Sequence, residues 1–237
     1  MSNKNQKTGL LLINKPQGPT SHDIVDEIRR VTEVKKVGHT GTLDPQAEGL
    51  LILLVGRETT KKQSEFLNLD KEYEAEIKLG EETDTLDSQG ETTNIYEGDW
   101  PSEEEVSSLL EKFEGGYHQV PPAYSAKKVD GDRAYKLARK GEKPELEPEK
   151  INIYEIEMIN YFMPGQPKAD KAHLKIRMKC SKGTYVRALA RDIGKKLGCG
   201  AHLTFLKRTQ IGDYELKNAV SLSELNSSNW QEHLKQL

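Results

Sequence analysis

Residues Gly38-His-Thr-Gly-Thr-Leu-Asp-Pro-Gln-Ala-Glu-Gly49 set a glycine-bounded turn directly against an unbroken apolar run, Leu50-Leu-Ile-Leu-Leu-Val55. Glycine at Gly38, Gly41 and Gly49 permits positive φ and close backbone approach, while Pro45 fixes its own φ and biases Asp44 away from the helical region. Such a turn holds the Asp44 carboxylate in place. The plain alternative is an aspartate that hydrogen-bonds its own turn. A short apolar run bounded by turn signals reads as a buried strand.

On the N-terminal side, Gly9 to Asn14 reads as a second short buried strand, followed by the turn Lys15-Pro-Gln-Gly-Pro19. A helix is expected from Thr20 or Ser21, because Thr20 with Asp23 resembles a capping box and Ile24, Val25, Ile28 and Val31 recur at helical spacing. On the C-terminal side, Lys71 to Leu79 alternates, with Tyr73, Ala75, Ile77 and Leu79 on one face and Glu72, Glu74, Glu76 and Lys78 on the other. That is the pattern of a half-solvated strand. Ser102 to Gly116 reads as an amphipathic helix capped by Ser102 with Glu105, packed through Val106, Leu109, Leu110 and Phe113 and stopped by Gly115-Gly116. Ala172, Leu174, Ile176, Met178 and Cys180 form the inner face of another alternating strand, with Lys171, His173, Lys175, Arg177 and Lys179 outward. Ser181 to Thr184 then turns the chain into a helix with Val186, Leu189, Ala190, Ile193 and Leu197 inside, Arg187 in its first turn and Gly198 at its end. Strands and helices interspersed without a regular βαβ repeat argue for an α+β fold around a mixed sheet. Met163 to Lys168 reads as an exposed loop.

The 237 residues, 35% apolar, suffice for a sizeable core. No apolar run approaches the ~18 residues of a membrane helix, and the start MSNKNQKTG lacks the apolar centre of a secretory signal. A soluble, cytoplasmic protein with no membrane association is therefore expected. Cys180 and Cys199 stand far apart with no CxxC, so neither a zinc site nor a disulfide framework is indicated. The net charge of −3 does not itself suggest a nucleic-acid partner, but its distribution does. Twelve acids between Glu81 and Glu114 face the single base Lys112, whereas thirteen Lys and Arg between Lys168 and Lys217 face four acids. A basic surface on an acidic protein is a plausible polyanion footprint, with a solvated charged face as the alternative.

Five collinear stretches carry a resemblance: LLLINKPQGPTSHDIV, VGHTGTLDPQAEGLL, KEYEAEIKLGEETDTLDSQG, QVPPAYSAKKVDGDRAYKLARKG and CSKGTYVRALARDIGKKLGCGAHLTFLKR. From about Gly9 to Tyr214 the chain resembles the TruB family of tRNA pseudouridine-55 synthases, relatives of the dyskerin-type enzymes. The resemblance implies a pseudouridine-synthase-like α+β fold: a mixed, mostly antiparallel sheet flanked by helices, with a catalytic cleft across it. It implies Asp44 as the catalytic aspartate, Tyr73 as the aromatic residue on the target uracil and Arg187 as the arginine paired with the aspartate. Substrate-binding roles follow for Lys15, which supports the motif loop, and for His39, Leu206, Tyr185 and Lys182. His39 as a loop hydrogen-bonder, Lys15 as a turn residue and Leu206 as core are the structural alternatives.

The residue types suit that chemistry. Converting uridine to pseudouridine breaks N1–C1′, turns the held uracil and forms C5–C1′ without redox change, so no cofactor or metal is needed. A carboxylate serves as nucleophile, at C1′ or at C6, or steers proton loss at the sugar. A nearby guanidinium favours the charged form of such a group and grips it bidentately. Tyr73 reads equally as core from its alternation, but an aromatic face retains a detached base at roughly 1–3 kcal/mol without fixing its in-plane orientation. Its hydroxyl offers a proton acceptor. A base in a folded tRNA arm must be flipped out, so shape and phosphate contacts dominate recognition. Lys175, Arg177, Lys179, Lys182, Lys207 and Arg208 are the expected RNA-backbone face.

Glu48 stands where family members commonly carry a small hydroxyl residue, and it is expected to point to solvent. The reading is of one catalytic domain over residues 1–237 with a short tail from about residue 219 and no PUA-like RNA-binding domain. The enzyme is expected to act as a monomer on the tRNA T-arm, without an obligatory protein partner. Two rivals remain. A glycosidase or nucleoside hydrolase would need a second catalytic carboxylate, for which Asp84 or Asp87 are the candidates. A non-catalytic RNA chaperone or guide-RNA subunit would leave Asp44 vestigial.

Overall fold

The computed structural model describes residues 8–129, 131–165 and 171–237. In chain order the elements are β1 (Gly9–Lys15), α1 (Ser21–Thr32), β2 (Val37–His39), β3 (Glu48–Val55), α2 (Arg57–Thr60), α3 (Gln63–Leu67), β4 (Lys71–Leu79), β5 (Glu81–Thr83) and β6 (Thr92–Ile95). There follow α4 (Glu103–Glu111), β7 (Gly115–Gln119), β8 (Lys128–Val129), β9 (Asp132–Arg133), α5 (Ala134–Arg139), β10 (Glu149–Phe162), β11 (His173–Cys180), α6 (Val186–Leu197), β12 (Ala201–Ile211), β13 (Tyr214–Glu215) and β14 (Val220–Ser221). The chain forms two compact units, residues 1–73 with 207–237 and residues 74–206. The expected α+β class with mixed, mostly antiparallel pairing is what forms.

In the first unit β1 lies antiparallel to β3, from Gly9 opposite Val55 to Lys15 opposite Gly49, and parallel to β14 through Ile13 and Val220. The short β2 pairs antiparallel with the C-terminal end of β3, from Val37 opposite Val55 to His39 opposite Leu53. The apolar run of β3 is continuous because both of its faces are covered. Leu51, Leu53 and Val55 join Ile24, Val25, Ile28 and Val31 of α1, while Leu50, Ile52 and Leu54 join Leu10, Leu12, Phe66 and Ile211. Each such buried side chain contributes about 2 kcal/mol relative to exposure. The capping box of α1 is present: Asp23 N–H donates to the Thr20 hydroxyl, and the Asp23 carboxylate accepts from Thr20 N–H.

In the second unit the strand order is β12-β4-β11-β10-β7. β4 alternates as the sequence predicts, with Tyr73, Ala75, Ile77 and Leu79 buried. β11 does the same through Leu174, Ile176, Met178 and Cys180. Both cysteines are buried free thiols. The helix expected over Ser102 to Gly116 ends earlier. Its Ser102–Glu105 box forms, but α4 stops at Glu111, and Gly115 and Gly116 open β7 opposite Ile153 and Asn152. Sheet pairing to β10 claims this glycine pair, with Gly115 at φ 93°. Of the loop expected at Met163 to Lys168, residues 166–168 lie outside the described residues, as does the start MSNKNQK. Among the described residues no helix is long and apolar enough to cross a membrane.

Candidate active site

Asp44 sits half-buried between β2 and β3, in a loop whose backbone is held by side chains from elsewhere in the first unit. Ser21, the first residue of α1 and 2% exposed, takes both backbone groups of Leu43: its hydroxyl donates to Leu43 O at 3.0 Å and accepts from Leu43 N–H at 2.9 Å. Lys15, at the end of β1 and wholly buried, donates from Nζ to Pro16 O (2.9 Å), Pro45 O (3.3 Å) and Ala47 O (2.7 Å). Gly18 N–H adds a bond to Pro45 O at 2.8 Å. The capping turn of α1, the end of β1 and the Asp44 loop thus lock together, and the Lys15-Pro-Gln-Gly-Pro19 segment acts through these bonds. Burial brings the Lys15 ammonium down to about 8, with the attraction of Asp44 and Glu48 opposing and the charge of Arg208 reinforcing the shift.

A second buried cation, Arg208 on β12, was expected on an RNA-facing surface; it is 1% exposed instead. Its Nε donates to Leu50 O at 2.8 Å and an Nη to Gly41 O at 3.2 Å. β12 runs parallel to β3 here, Lys207 opposite Glu48 and Arg208 opposite Gly49. Gly49, at φ 104°, is required by that approach, since a Cβ there would stand 2.3 Å from Arg208 O. Glu48 does not point to solvent: it is half-buried and faces Lys207 Nζ at 3.3 Å. The extra carboxylate is held by the adjacent strand's lysine.

His39, at the end of β2, is half-buried; its carbonyl accepts from Gln63 at 2.7 Å. Burial first, and the Arg208 charge second, push the imidazole toward its neutral form. Its Nδ1 is buried with no hydrogen-bond partner among the described residues. Tyr73 is on the buried side of β4 at 8% exposure.

The second unit carries the other predicted residues. Arg187, in the first turn of α6 and 7% exposed, donates to Thr85 O (3.1 Å) and Tyr124 O (3.0 Å) and faces Asp87 at 3.7 Å. The start of α6 is set by Gln119, a buried amide that sequence reasoning passed over: its Oε1 accepts from Tyr185 N–H at 2.9 Å and its Nε2 donates to Tyr117 Oη at 2.6 Å. Lys182 is exposed in the turn before α6, and Leu206 is half-buried on β12. The first unit therefore carries Lys15, His39, Asp44, Arg208 and, as its last residue before the second, Tyr73, whereas Arg187, Tyr185, Lys182 and Leu206 belong to the second. The outward stripe on β11 is charge-mixed, not simply basic. Lys175 faces Glu76 at 3.7 Å, and Arg177 faces Glu74 at 3.7 Å and Glu157 at 3.6 Å. Among the described residues no cluster of three or more His, Cys, Asp or Glu is placed to hold a metal.

A family model described as TruB family pseudouridylate synthase (N terminal domain) matches residues 29–186, and one described as tRNA pseudouridylate synthase B C-terminal domain matches residues 187–237. The tRNA pseudouridine synthase B of Caldanaerobacter subterraneus subsp. tengcongensis is 47% identical, over 92% of this chain and 73% of that one. That of Opitutus terrae is 43% identical, over 92% and 87%. Among solved structures, a chain of a Cbf5-Nop10-Gar1 complex superposes with a TM-score of 0.68 at 27% identity, over 92% of this chain and 54% of that one. A chain of an H/ACA RNP bound to a substrate RNA containing 2'-deoxyuridine gives 0.66 at 26% identity, over 94% and 55%. This chain thus spans little more than half the length of those two solved chains.

Proposed function

The chain belongs to the TruB family of pseudouridylate synthases, and from that premise we propose that it isomerises uridine 55 in the T-loop of tRNA to pseudouridine, with Asp44 as the catalytic carboxylate. The observation that carries this reading is the Asp44 loop, fixed at Gly41, Leu43, Pro45, Ala47 and Leu50 by side chains from three other elements. A group held this firmly is spared reorganisation when the reaction begins. The reaction exchanges N1–C1′ for C5–C1′. A proton leaves C5 and N1 gains one, so the sum is an isomerisation.

Asp44 acts on the flipped nucleotide as nucleophile or base, and Tyr73 supplies the aromatic face for the loosened uracil and a phenolic oxygen for the C5 proton. Arg187 is the guanidinium that the family resemblance pairs with the aspartate. Lys15 holds the loop; His39, Leu206, Tyr185 and Lys182 serve the substrate. The enzyme works as a cytoplasmic monomer, without a protein partner. Purified protein incubated with an unmodified tRNA transcript, followed by carbodiimide mapping, tests this. Pseudouridine appears at the T-loop uridine and is abolished by Asp44→Asn. Free uracil would make the protein a hydrolase, and tight tRNA binding with no modification would make it a chaperone or a guide-dependent subunit.

A further inference from the structure

Resting on that reading, we propose that Arg208 is a positioning residue for Asp44: its buried guanidinium clamps the two ends of the catalytic loop while Lys15 holds the middle. Each cation takes a distinct part of the loop. Lys15 binds Pro45 O and Ala47 O, directly after Asp44. Arg208 binds Gly41 O, three residues before Asp44, and Leu50 O, six residues after it. No other side-chain type spans two such carbonyls with a planar, permanently charged fork. The burial of Arg208 removes it from direct RNA contact, although its neighbour Lys207 lies on the opposite face of the same strand.

The close approach of β12 to Gly49 shows how the clamp is set. The strand bearing Arg208 must come within the space a side chain at residue 49 would occupy, so the glycine that ends the loop and the arginine that secures it form one device. A buried cation with few satisfied donors would be costly, and here the donors are spent on carbonyls of the loop.

The test is single-turnover pseudouridine formation at saturating tRNA, with RNA affinity, melting temperature and pH dependence measured alongside, for wild type, Arg208→Lys and Arg208→Gln. For Arg208→Gln the saturated rate is expected to fall about 100-fold, with RNA affinity within about threefold of wild type. Arg208→Lys keeps the charge but reaches one carbonyl at a time, so it recovers part of the rate. The split between saturated rate and RNA affinity, and partial rescue by Arg208→Lys, read the positioning role, while the pH profile reads the Arg208 charge at Lys15. The charged groups facing Lys15 are Asp44, Glu48 and Arg208, and removing the Arg208 cation makes the Lys15 proton harder to lose. The alkaline fall in rate therefore shifts to higher pH in Arg208→Gln and stays put in Arg208→Lys.

Loss of RNA affinity with an intact saturated rate would overturn the proposal and return Arg208 to the RNA interface. An unchanged rate in Arg208→Gln would overturn it outright. If Arg208→Gln does not fold, Arg208→Lys decides, because a wild-type rate in that variant means that the two-carbonyl clamp does not position Asp44. Absence of pseudouridine in the wild type would instead refute the proposed function, a result distinct from all of these.

Discussion

Two turns rich in acidic and small residues, the Asp44 loop of the first unit and the Asp84–Gly90 turn of the second, are built on opposite plans. The second turn is made by its own carboxylates. Asp84 Oδ1 accepts from Glu91 N–H at 2.9 Å, and Asp87 Oδ1 accepts from Gln89 N–H at 3.0 Å and from the Thr85 hydroxyl at 2.6 Å. Together with Leu203 N–H donating to Leu86 O at 3.0 Å, these bonds hold Leu86 at φ 64°, a left-handed conformation that a leucine adopts only when its surroundings over-determine it. Having shaped itself, the turn offers Thr85 O to Arg187. The Asp44 loop instead has its backbone carbonyls taken by Ser21, Lys15 and Arg208. The two turns thus differ in where their support comes from: the second leans on its own carboxylates, whereas side chains of β1, α1 and β12 hold the backbone of the Asp44 loop.

The largest effect that can break this comparison is at Asp44 itself. Asp44→Asn is expected to lower the pseudouridine rate by about 1,000-fold or more with a much smaller effect on stability, about 1 kcal/mol, because the named supports of the loop attach to its backbone and the amide keeps the side chain's shape. A large fall in melting temperature would show that the carboxylate builds the loop after all. Arg187→Lys comes next. A lysine cannot serve Thr85 O, Tyr124 O and Asp87 together, so a stability loss on the order of 2 kcal/mol is expected along with a rate loss of about 100-fold, read from denaturant unfolding and single-turnover kinetics.

Lys15 gives the comparison a pH axis. With its ammonium at about 8 against an ordinary 10.5, the folded protein releases this proton first, and the unfolded chain holds it up to the higher value. Stability owed to Lys15 therefore rises with pH across that window, since the unfolded state binds more protons there. The rate is expected to fall over the same window, as the ammonium loses a donor to the loop carbonyls. Activity and melting temperature measured from pH 7 to 10 should part company; parallel decline would mean that general unfolding sets the alkaline limit. Asp84→Ala is a smaller test: about 1–2 kcal/mol of stability lost through the Glu91 N–H left unpaired, with only a few-fold change in rate.

Much of this was legible from local pattern. The alternation of β4 and β11, the apolar run of β3 and both capping boxes depend on neighbours in sequence, and each forms as read. The loop holding Asp44 was visible from its glycines and proline. What the sequence hid was pairing between distant segments. Gly115 and Gly116 look like a helix stop until β10 claims them. Arg208 looks like one more base in a basic run until β12 is laid beside β3; only its strand parity with Leu206, opposite Lys207, hinted that it faces inward. Glu48 was likewise misread, because its partner Lys207 lies far away in the chain. Gln119 carries no motif of its own, and its role depends on reaching Tyr185 across 66 residues.

The smallest expected effect concerns the β11 stripe, where charge counted along the sequence and charge seen in the fold diverge. Read alone, Lys175 and Arg177 are phosphate contacts, and reversing both would flatten the salt dependence of RNA binding by about two logarithmic units of slope, each neutralised phosphate contributing about 0.9. In the folded unit Lys175 stands opposite Glu76 and Arg177 between Glu74 and Glu157, at 3.6–3.7 Å and partly exposed. Exposed pairs of this kind are worth about 0–1 kcal/mol, too little to anchor the fold but enough to cancel the local field that would gather phosphate. The double variant Lys175→Glu, Arg177→Glu should therefore keep its salt slope to within about one unit and bind tRNA within a few-fold of wild type. A drop of two units would mean that these acids give way to RNA and that the stripe is an interface despite its pairing. Lys182→Glu, at the exposed turn before α6, provides the reference, with an expected loss of about 0.9 in slope from a single residue.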